Sequence, residues 1–273
     1  MIQVRKIESL DLPELQPYRT LRRPLEHREQ GIFVAEGEKV VRRLLQSHFP
    51  VVSVLLPEKW LADYEPLIQA RPEKEIPVFI VSEKSVLEQL VGFSFYQGVL
   101  AVGKIPARPP LEEILKRSPS PRLFAAVEGL TNAENLGAVV RNCAAFNTQA
   151  LIVGETSSSP FLRRAVRNSM GTIFQLPTVE TSSLAESLRE LRAHGIRCIA
   201  AHPHTEGRTL AQADFTTDCC IVLGSEGQGI SPDVLEICDE AVAIPMPPGV
   251  DSLNVGAAAA VFLYEANRQR GKV

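Results

Sequence analysis

Five runs in the second half of the chain are nearly continuous in apolar residues, and they constrain the fold more than any other feature. A strand with one face in water alternates apolar and polar residues, whereas strands of a parallel sheet are covered on both faces and read as unbroken apolar runs. Helical patterns separate the runs, so the sequence predicts an α/β fold with a parallel sheet. The runs are LFAAVEGL, ALIVGE, RCIAAHP, CCIVLG and EAVAIPM.

A proline-rich segment divides the chain. Residues 106–122 contain five prolines, and proline interrupts both helices and the hydrogen-bond ladders of sheets. Before this segment, shorter β-branched runs alternate with helical patterns, which indicates a second, smaller α/β domain. We predict a domain over residues 1–105, a linker over 106–122 and a larger domain over 123–273, a division that suits a chain of 273 residues.

Composition excludes several classes of protein. Hydrophobic residues make up 45% of the chain and charged residues 22%, which excludes a disordered, collagen-like or coiled-coil protein. No apolar run approaches the ~18 residues of a membrane span, and charges stand where a signal peptide has its apolar block. The five cysteines have no CxxC spacing, so we expect reduced, buried thiols. We therefore expect a cytoplasmic protein with no membrane partner.

The net charge of −3 gives no general attraction to a polyanion, so binding of nucleic acid must come from local basic clusters. Arginine-rich clusters occur near the N-terminus and after the second apolar run of the larger domain. Each cluster fits either phosphate contact or a solvated helix face. The candidates for RNA contact are Arg22, Arg23, Arg28, Arg163, Arg164 and Arg167.

Three segments directly follow predicted strands of the larger domain. They are TNAENLGAVVRN (131–142), GSEGQGIS (224–231) and PMPPGVDSLNVGAAAA (245–260). In an open parallel sheet, ligands lie at the carboxyl ends of the strands, where loops and helix N-termini present free N–H groups. We expect the ligand site to form there.

The second segment contains three glycines in six residues. Glycine lets the backbone approach a flat ligand such as a nucleoside, although a plain tight turn has the same composition. The spacing matches neither a dinucleotide fingerprint nor a P-loop. His202 and His204 lack a matching set of ligands at zinc spacing, so the sequence predicts no metal site.

The third and first segments carry the polar candidates. Asp251 or Ser252 suits the N-cap of a small-residue helix, and Asn254 in its first turn has both donor and acceptor groups for a ligand. Asn135 and Arg141 are six residues apart, or about 240° on one helix, so they share a cleft only if Asn135 precedes the helix. Arg141 suits a phosphate, or alternatively a salt bridge with a nearby glutamate.

The three segments together resemble the signature motifs of the SpoU (TrmH-like) branch of the SPOUT methyltransferases. NAENLGAVVR is similar to the DPxNxGxxxR pattern and retains Asn135 and Arg141. IVLGSEGQGIS matches the GxExxG loop, and IPM with SLNV matches the third motif. Asn132 and Ala133 depart from the usual Asp and Pro, and Gly256 stands where serine is usual. RRPLEHREQGIFVAEGEKVVRRLL with QGVLAV resembles the family's N-terminal substrate-binding domain, so nearly the whole chain is covered.

The resemblance implies a parallel-sheet SPOUT domain with a trefoil knot, which general rules of topology disfavour, and a homodimer. It implies methyl transfer from S-adenosylmethionine to a ribose 2′-hydroxyl in ribosomal or transfer RNA, and of these two substrates we favour ribosomal RNA. The catalytic residues that it implies are Arg141, Asn135, Glu226, Ser252 and Asn254. The cofactor-binding residues that it implies are Leu223, Gly224, Gly229, Ile244, Met246 and Leu253.

Chemistry agrees with this interpretation. Methyl transfer is an in-line displacement that mainly requires alignment of the reacting atoms. The hydroxyl proton must leave, and a nearby positive charge stabilises the developing alkoxide. We favour Arg141 in that electrostatic role over proton abstraction, and both stay open. Two alternatives stay open. A non-catalytic RNA-binding relative would not bind S-adenosylmethionine, and a base-nitrogen methyltransferase would place the methyl group on a base instead of on ribose.

Overall fold

The computed structural model describes residues 2–81, 98–107, 109–203 and 208–272, which form two compact units. The first unit comprises Met1–Ala107 and Phe161–Phe174, and the second comprises Arg108–Pro160 and Gln175–Val273. Segment 161–174 therefore belongs to the first unit, whereas the division based on sequence assigned it to the larger domain. The other predicted domain boundaries stay a prediction.

The strands follow the chain in an order that alternates with helices. They are β1 (Ile2–Ile7), β2 (Ile32–Glu36), β3 (Val51–Pro57), β4 (Ile76–Val81), β5 (Leu100–Lys104), β6 (Leu123–Val127), β7 (Ala150–Val153), β8 (Thr178–Glu180), β9 (Arg197–Ala201), β10 (Arg208–Thr209), β11 (Cys219–Leu223) and β12 (Glu240–Ala243).

The α-helices between these strands vary from one turn to four turns in length. They are α1 (Gln16–Arg19), α2 (Pro24–Glu29), α3 (Glu38–Leu45), α4 (Leu61–Gln69), α5 (Leu111–Arg117), α6 (Ala133–Ala145), α7 (Arg163–Asn168), α8 (Leu184–Ala193), α9 (Pro232–Ile237) and α10 (Val255–Gln269). Among the helices of the described residues, none has the length and apolar character that crossing a membrane requires.

The first unit is built on a mixed sheet with the order β1-β4-β3-β5-β2. Strand β5 runs antiparallel to β2 and β3, whereas β4 runs parallel to β1 and β3. Segment 161–174 belongs to this unit because Phe161 and Phe174 pack on Phe33 and Phe49, with ring centroids 5.4 to 6.0 Å apart. Burial of four aromatic rings stabilises this arrangement strongly.

The second unit is built on a parallel sheet with the order β10-β12-β9-β11-β6-β7-β8. The five strands predicted from apolar runs are present as β6, β7, β9, β11 and β12. The sequence analysis missed β8 and β10 because strands of three and two residues are too short to show a period. The trefoil knot stays a prediction.

Polar caps determine where two short helices of the second unit begin. The Ser183 hydroxyl accepts the N–H of Glu186 and starts α8, and the Ser231 hydroxyl accepts the N–H of Val234 and starts α9. All five cysteines are free, four of them buried, as expected. Burial raises the pKa of the Cys143 thiol to about 12, so this thiol stays protonated and inert.

Candidate active site

A cavity of about 360 Å³ lies in the second unit, at the carboxyl ends of β9, β11 and β12. This is where a parallel sheet presents loops and free backbone groups to a ligand. All six residues that the sequence analysis proposed for the cofactor line the cavity, and Glu226 and Ser252 line it with them. Their roles stay predictions, but the structure brings them together.

One wall of the cavity is the glycine loop, residues 224–230, which follows β11. Ser225 and Gly229 form a two-way backbone pair with both N···O distances at 3.0 Å. A Cβ atom at Gly224 would lie 2.2 Å from the carbonyl carbon of Gly229, so only glycine fits there. The loop is therefore both a tight turn and a wall of the cavity, and the two interpretations of its glycines are compatible.

The opposite wall is largely apolar. Ile244 and Met246 follow β12, and Leu253 precedes α10. Flat aromatic ligands bind between such side chains and exposed backbone N–H and C=O groups, because the apolar contact provides affinity and the backbone provides orientation. The cavity thus has the composition that a nucleoside with an aliphatic extension requires.

Asn254 joins the three segments. Its side-chain NH2 donates to Oδ1 of Asn135 at 3.1 Å and to Oε1 of Glu226 at 2.6 Å. Its own Oδ1 accepts the N–H of Gly256 at 2.9 Å and caps α10. The expectation that Asp251 or Ser252 is the N-cap is therefore wrong, since the helix begins after Asn254. One amide connects the first motif, the glycine loop and the C-terminal helix.

Helix α6 begins earlier than the sequence analysis expected. Its N-cap is Asn132, whose Oδ1 accepts the N–H groups of Glu134 and Asn135, so Asn135 lies inside the first turn. Because Oδ1 of Asn135 already accepts a hydrogen bond from Asn254, the NH2 group of Asn135 is the part that can donate to a ligand. Asn135 therefore does not precede the helix, and the condition under which Asn135 and Arg141 were expected to share a cleft is not met.

Arg141 lies on α6 with its side chain exposed. Among the residues that the structure describes, it has neither a hydrogen-bond nor an ion-pair partner, so the alternative of a salt bridge with Glu134 or Glu226 is not realised. Arg141 does not line the cavity. Its guanidinium keeps all of its donors for a ligand.

The departure at Gly256 has a packing reason. A Cβ atom at Gly256 would lie 3.0 Å from the Cβ of Ala138 on α6, closer than carbon atoms normally approach. The carbonyl of Gly256 also accepts a hydrogen bond from the Asn142 side chain at 2.6 Å. Glycine therefore allows α10 to approach the helix that carries Asn135 and Arg141.

The candidate RNA contacts divide into two groups. Arg22, Arg23 and Arg28 are exposed on the first unit, although Arg23 pairs with Glu26 at 3.0 Å. Of the three arginines in α7, Arg164 is exposed and is not paired with Glu36, whereas Arg163 and Arg167 are paired with it.

The structure contradicts the expectation for Arg163. Its side chain is only 15% exposed and pairs with the carboxylate of Glu36, which is 2% exposed. Arg167 is 54% exposed and pairs with the same carboxylate at 2.7 Å. A charge that neutralises a buried carboxylate is unavailable to RNA phosphates.

Three further cavity residues were not predicted: Ala201, the last residue of β9, and His202 and Pro203, which follow it. Their position at the carboxyl end of a predicted strand was the signal that could have found them. His204 lies outside the described residues. Across residues 2–81, 98–107, 109–203 and 208–272, no group of three or more His, Cys, Asp or Glu side chains could hold a metal ion.

Two family models match the chain. Residues 122–264 match the SpoU rRNA methylase family, and residues 34–109 match a domain described as RNA 2′-O ribose methyltransferase substrate binding. A tRNA/rRNA methyltransferase of Mycobacterium tuberculosis is 32% identical over 98% of this chain and 93% of its own length. A 23S rRNA (guanosine-2′-O-)-methyltransferase RlmB of Ralstonia nicotianae is 33% identical over 71% of this chain and 78% of its own length.

Solved structures agree with this relationship. An RNA 2′-O ribose methyltransferase superposes with a TM-score of 0.80 at 30% identity and covers 99% of both chains. The SpoU methyltransferase AviRb of Streptomyces viridochromogenes, in complex with AdoMet, superposes with a TM-score of 0.80 at 25% identity, over 96% of this chain and 100% of its own. The motifs, the fold, the cavity and these relatives lead to one conclusion: the chain belongs to the SpoU rRNA methylase family.

Proposed function

We propose that this chain transfers the methyl group of S-adenosylmethionine to a ribose 2′-hydroxyl of RNA. The proposal rests mainly on the side-chain amide of Asn254, which donates hydrogen bonds to Asn135 and Glu226 at the edge of a glycine-lined cavity. The hydrogen bonds of Asn254 connect the cavity, which suits a nucleoside, with helix α6, which carries the free guanidinium of Arg141.

The cavity fits S-adenosylmethionine. The absence of a side chain at Gly224 opens the backbone of the glycine loop to a planar base, and Ile244, Met246 and Leu253 supply apolar contact. When bound, S-adenosylmethionine supplies an electrophilic methyl group on a positively charged sulfur. The residues of this chain hold the cofactor and limit the access of water, which would compete with the ribose hydroxyl.

On the RNA side, the reacting hydroxyl gives up its proton to solvent as its oxygen bonds to the methyl carbon and the bond from that carbon to sulfur breaks. Arg141 stabilises the negative charge that develops on the oxygen and binds a neighbouring phosphate with its planar fork. The NH2 group of Asn135 donates to the ribose or its phosphate, because its oxygen is already bound by Asn254. Glu226 and Ser252 hold the mouth of the cavity beside Asn254.

The relatives and the first unit support ribosomal RNA as the substrate. The RlmB relative modifies 23S rRNA by its name, and the family model for residues 34–109 describes substrate binding. Exposed Arg22, Arg23 and Arg28 are the contacts that we propose for RNA phosphates. We also propose that the protein acts in the cytoplasm.

We propose a homodimer that covers the outer face of α10. Val261 and Tyr264 on this face are 38% and 49% exposed, and apolar side chains of this size are common in subunit interfaces. Sedimentation equilibrium measures the mass in solution. A dimer that persists at low micromolar concentration and that Tyr264→Glu weakens supports the interface, whereas a monomer excludes it.

Methyl incorporation tests the proposed function. We expect purified protein to transfer labelled methyl groups to ribosomal RNA fragments, with transfer RNA as the comparison substrate. Nuclease digestion and mass spectrometry of the product then locate the label. A label on ribose supports the proposal and a label on a base contradicts it. If the protein binds RNA but does not bind S-adenosylmethionine, it is a non-catalytic relative.

A further inference from the structure

A carboxylate outside the recognised motifs contacts the far end of the glycine loop. Glu128 directly follows β6, and its two carboxylate oxygens accept the N–H of Ser231 at 2.8 Å and the hydroxyl of Ser231 at 2.7 Å. Ser231 is both the residue after the loop and the N-cap of α9. Hydrogen bonds to an ionised carboxylate are about twice as strong as bonds between neutral groups.

The backbone of the same residue contacts the near end of the loop. The N–H of Glu128 donates to the carbonyl of Leu223 at 2.9 Å, directly before Gly224. The next residue, Gly129, has a φ of +66°, and a Cβ atom there would lie 3.3 Å from the Cβ of Ser225. Glu128 and Gly129 are therefore packed against both ends of the loop.

Glu128 itself does not line the cavity. Leu223, whose carbonyl accepts the N–H of Glu128, and Ile230, which precedes Ser231, do line it. The pairing of Ser225 with Gly229 closes the loop internally, and Glu128 links the end of β11 to the start of α9 through its own hydrogen bonds. A displacement of the glycine loop by about 1 Å is enough to weaken the hydrogen bonds between its backbone and a ligand.

We propose that Glu128 is a positioning residue that holds the glycine loop in the conformation that binds S-adenosylmethionine. The proposal rests on the proposed function, because it assigns the loop to that cofactor. Glu128 acts through Ser231 and Leu223 and does not touch the ligand. Without the Glu128 carboxylate, the loop also adopts conformations that do not bind the cofactor. The apparent affinity then decreases in proportion to the fraction of molecules whose loop is in the binding conformation.

Asp218 offers a matched control on the same two strands. It lies at the amino end of β11, opposite to the cavity, and its carboxylate accepts the N–H of Arg122 at 2.8 Å and the hydroxyl of Ser120 at 2.9 Å. The arrangement of one backbone N–H and one serine hydroxyl on one carboxylate repeats that of Glu128, and Asp218 also pairs with the Arg122 guanidinium at 3.0 Å. Loss of Asp218 therefore removes the same two kinds of bond and an ion pair as well, without touching the glycine loop.

The experiment measures equilibrium binding of S-adenosylmethionine and of S-adenosylhomocysteine by calorimetry, together with the melting temperature, in the full chain. We expect Glu128→Ala to weaken both ligands about 10-fold, the effect of losing hydrogen bonds to a charged group. We expect Asp218→Ala to lower the melting temperature with affinities within about 2-fold of the parent protein, a difference of a few tenths of a kcal/mol.

A conservative pair covers the case in which an alanine variant does not fold. Glu128→Gln keeps an oxygen for the Ser231 N–H, so we expect binding about 3-fold weaker than the parent, between the parent and Glu128→Ala. Asp218→Asn should bind like the parent. Equal cofactor affinity in the Glu128 and Asp218 variants overturns the positioning role. A parent protein that binds neither ligand overturns the proposed function as well, which separates the two failures.

Discussion

Two regions of the molecule use arginine in opposite ways. In segment 161–174 of the first unit, Arg163 is mostly buried and neutralises Glu36, which is itself 2% exposed. On α6 of the second unit, Arg141 is exposed and has no ion-pair or hydrogen-bond partner among the described residues. Arg163 was a candidate for contact with RNA and Arg141 for catalysis, and of the two only Arg141 keeps its guanidinium available for a ligand in the structure.

The difference shows how to separate structural charges from functional ones. Burying a carboxylate without a partner costs several kcal/mol, so Arg163 stabilises the folded unit by pairing with Glu36. Arg141 stabilises no buried group, so the fold does not account for its presence. A charged side chain that the fold does not need, on the helix that also carries Asn135, is the stronger candidate for chemistry.

The largest effect should come from Arg141→Ala. We expect the rate of methyl transfer to fall about 10²- to 10³-fold, since removal of one group that stabilises a developing oxyanion has this effect. Stability should change by less than about 0.5 kcal/mol because the side chain is exposed and unpaired. Single-turnover kinetics and thermal unfolding measure the two quantities. A variant that keeps full activity would remove Arg141 from the mechanism.

Arg163→Ala should behave in the opposite way. We expect the free energy of unfolding to fall by about 3 kcal/mol, the lower end of the range for breaking a buried ion pair, because Arg167 still contacts Glu36. The neighbouring Arg164→Ala is the control and should leave stability unchanged, because Arg164 is exposed. Urea unfolding measures both. If Arg163→Ala weakened RNA binding without loss of stability, the comparison would fail.

The sequence was sufficient for five strands of the second unit because most of their residues are buried. Unbroken apolar runs identify such strands, and the rule that ligands lie at their carboxyl ends located the cavity. The N-cap of α10 could not be chosen from sequence, since aspartate, serine and asparagine all cap helices well. Only the contacts of Asn254 with Asn135, Glu226 and Gly256 distinguish it.

The sequence was insufficient for segment 161–174. Its amphipathic pattern shows that one face of α7 is buried, but a pattern cannot say which sheet covers that face. The contacts of Phe161 and Phe174 with Phe33 and Phe49 are long-range and carry no local signal. Removal of residues 1–105 would therefore expose Phe161 and Phe174. Loss of RNA binding by the remaining fragment would then not by itself show that residues 1–105 bind RNA.

His27 extends the comparison to a second buried polar group of the first unit. Burial lowers the pKa of His27, despite its hydrogen bond with the Pro17 carbonyl at 3.0 Å. The folded state therefore prefers the neutral ring, so its contribution to stability is present above the unfolded pKa of about 6.5 and is lost as the pH falls below it. We expect His27→Gln to flatten the decrease in unfolding free energy between about pH 7 and pH 5. An unchanged slope would exclude His27 as its source.

Asn132 should give the smallest effect, and it tests whether polar groups near the active site can also be structural. Its side chain accepts two N–H groups at the start of α6, so Asn132→Ala should cost about 1 kcal/mol of unfolding free energy. Asn132→Asp restores the residue usual in the family pattern and should retain the cap, with a gain of a few tenths of a kcal/mol from the negative charge at a helix N-terminus. Because Asn132 contacts neither Asn254 nor the cavity, methyl transfer by the Asp variant should stay within about 2-fold of the parent. A much larger loss of activity would show that Asn132 has a role in methyl transfer besides capping α6.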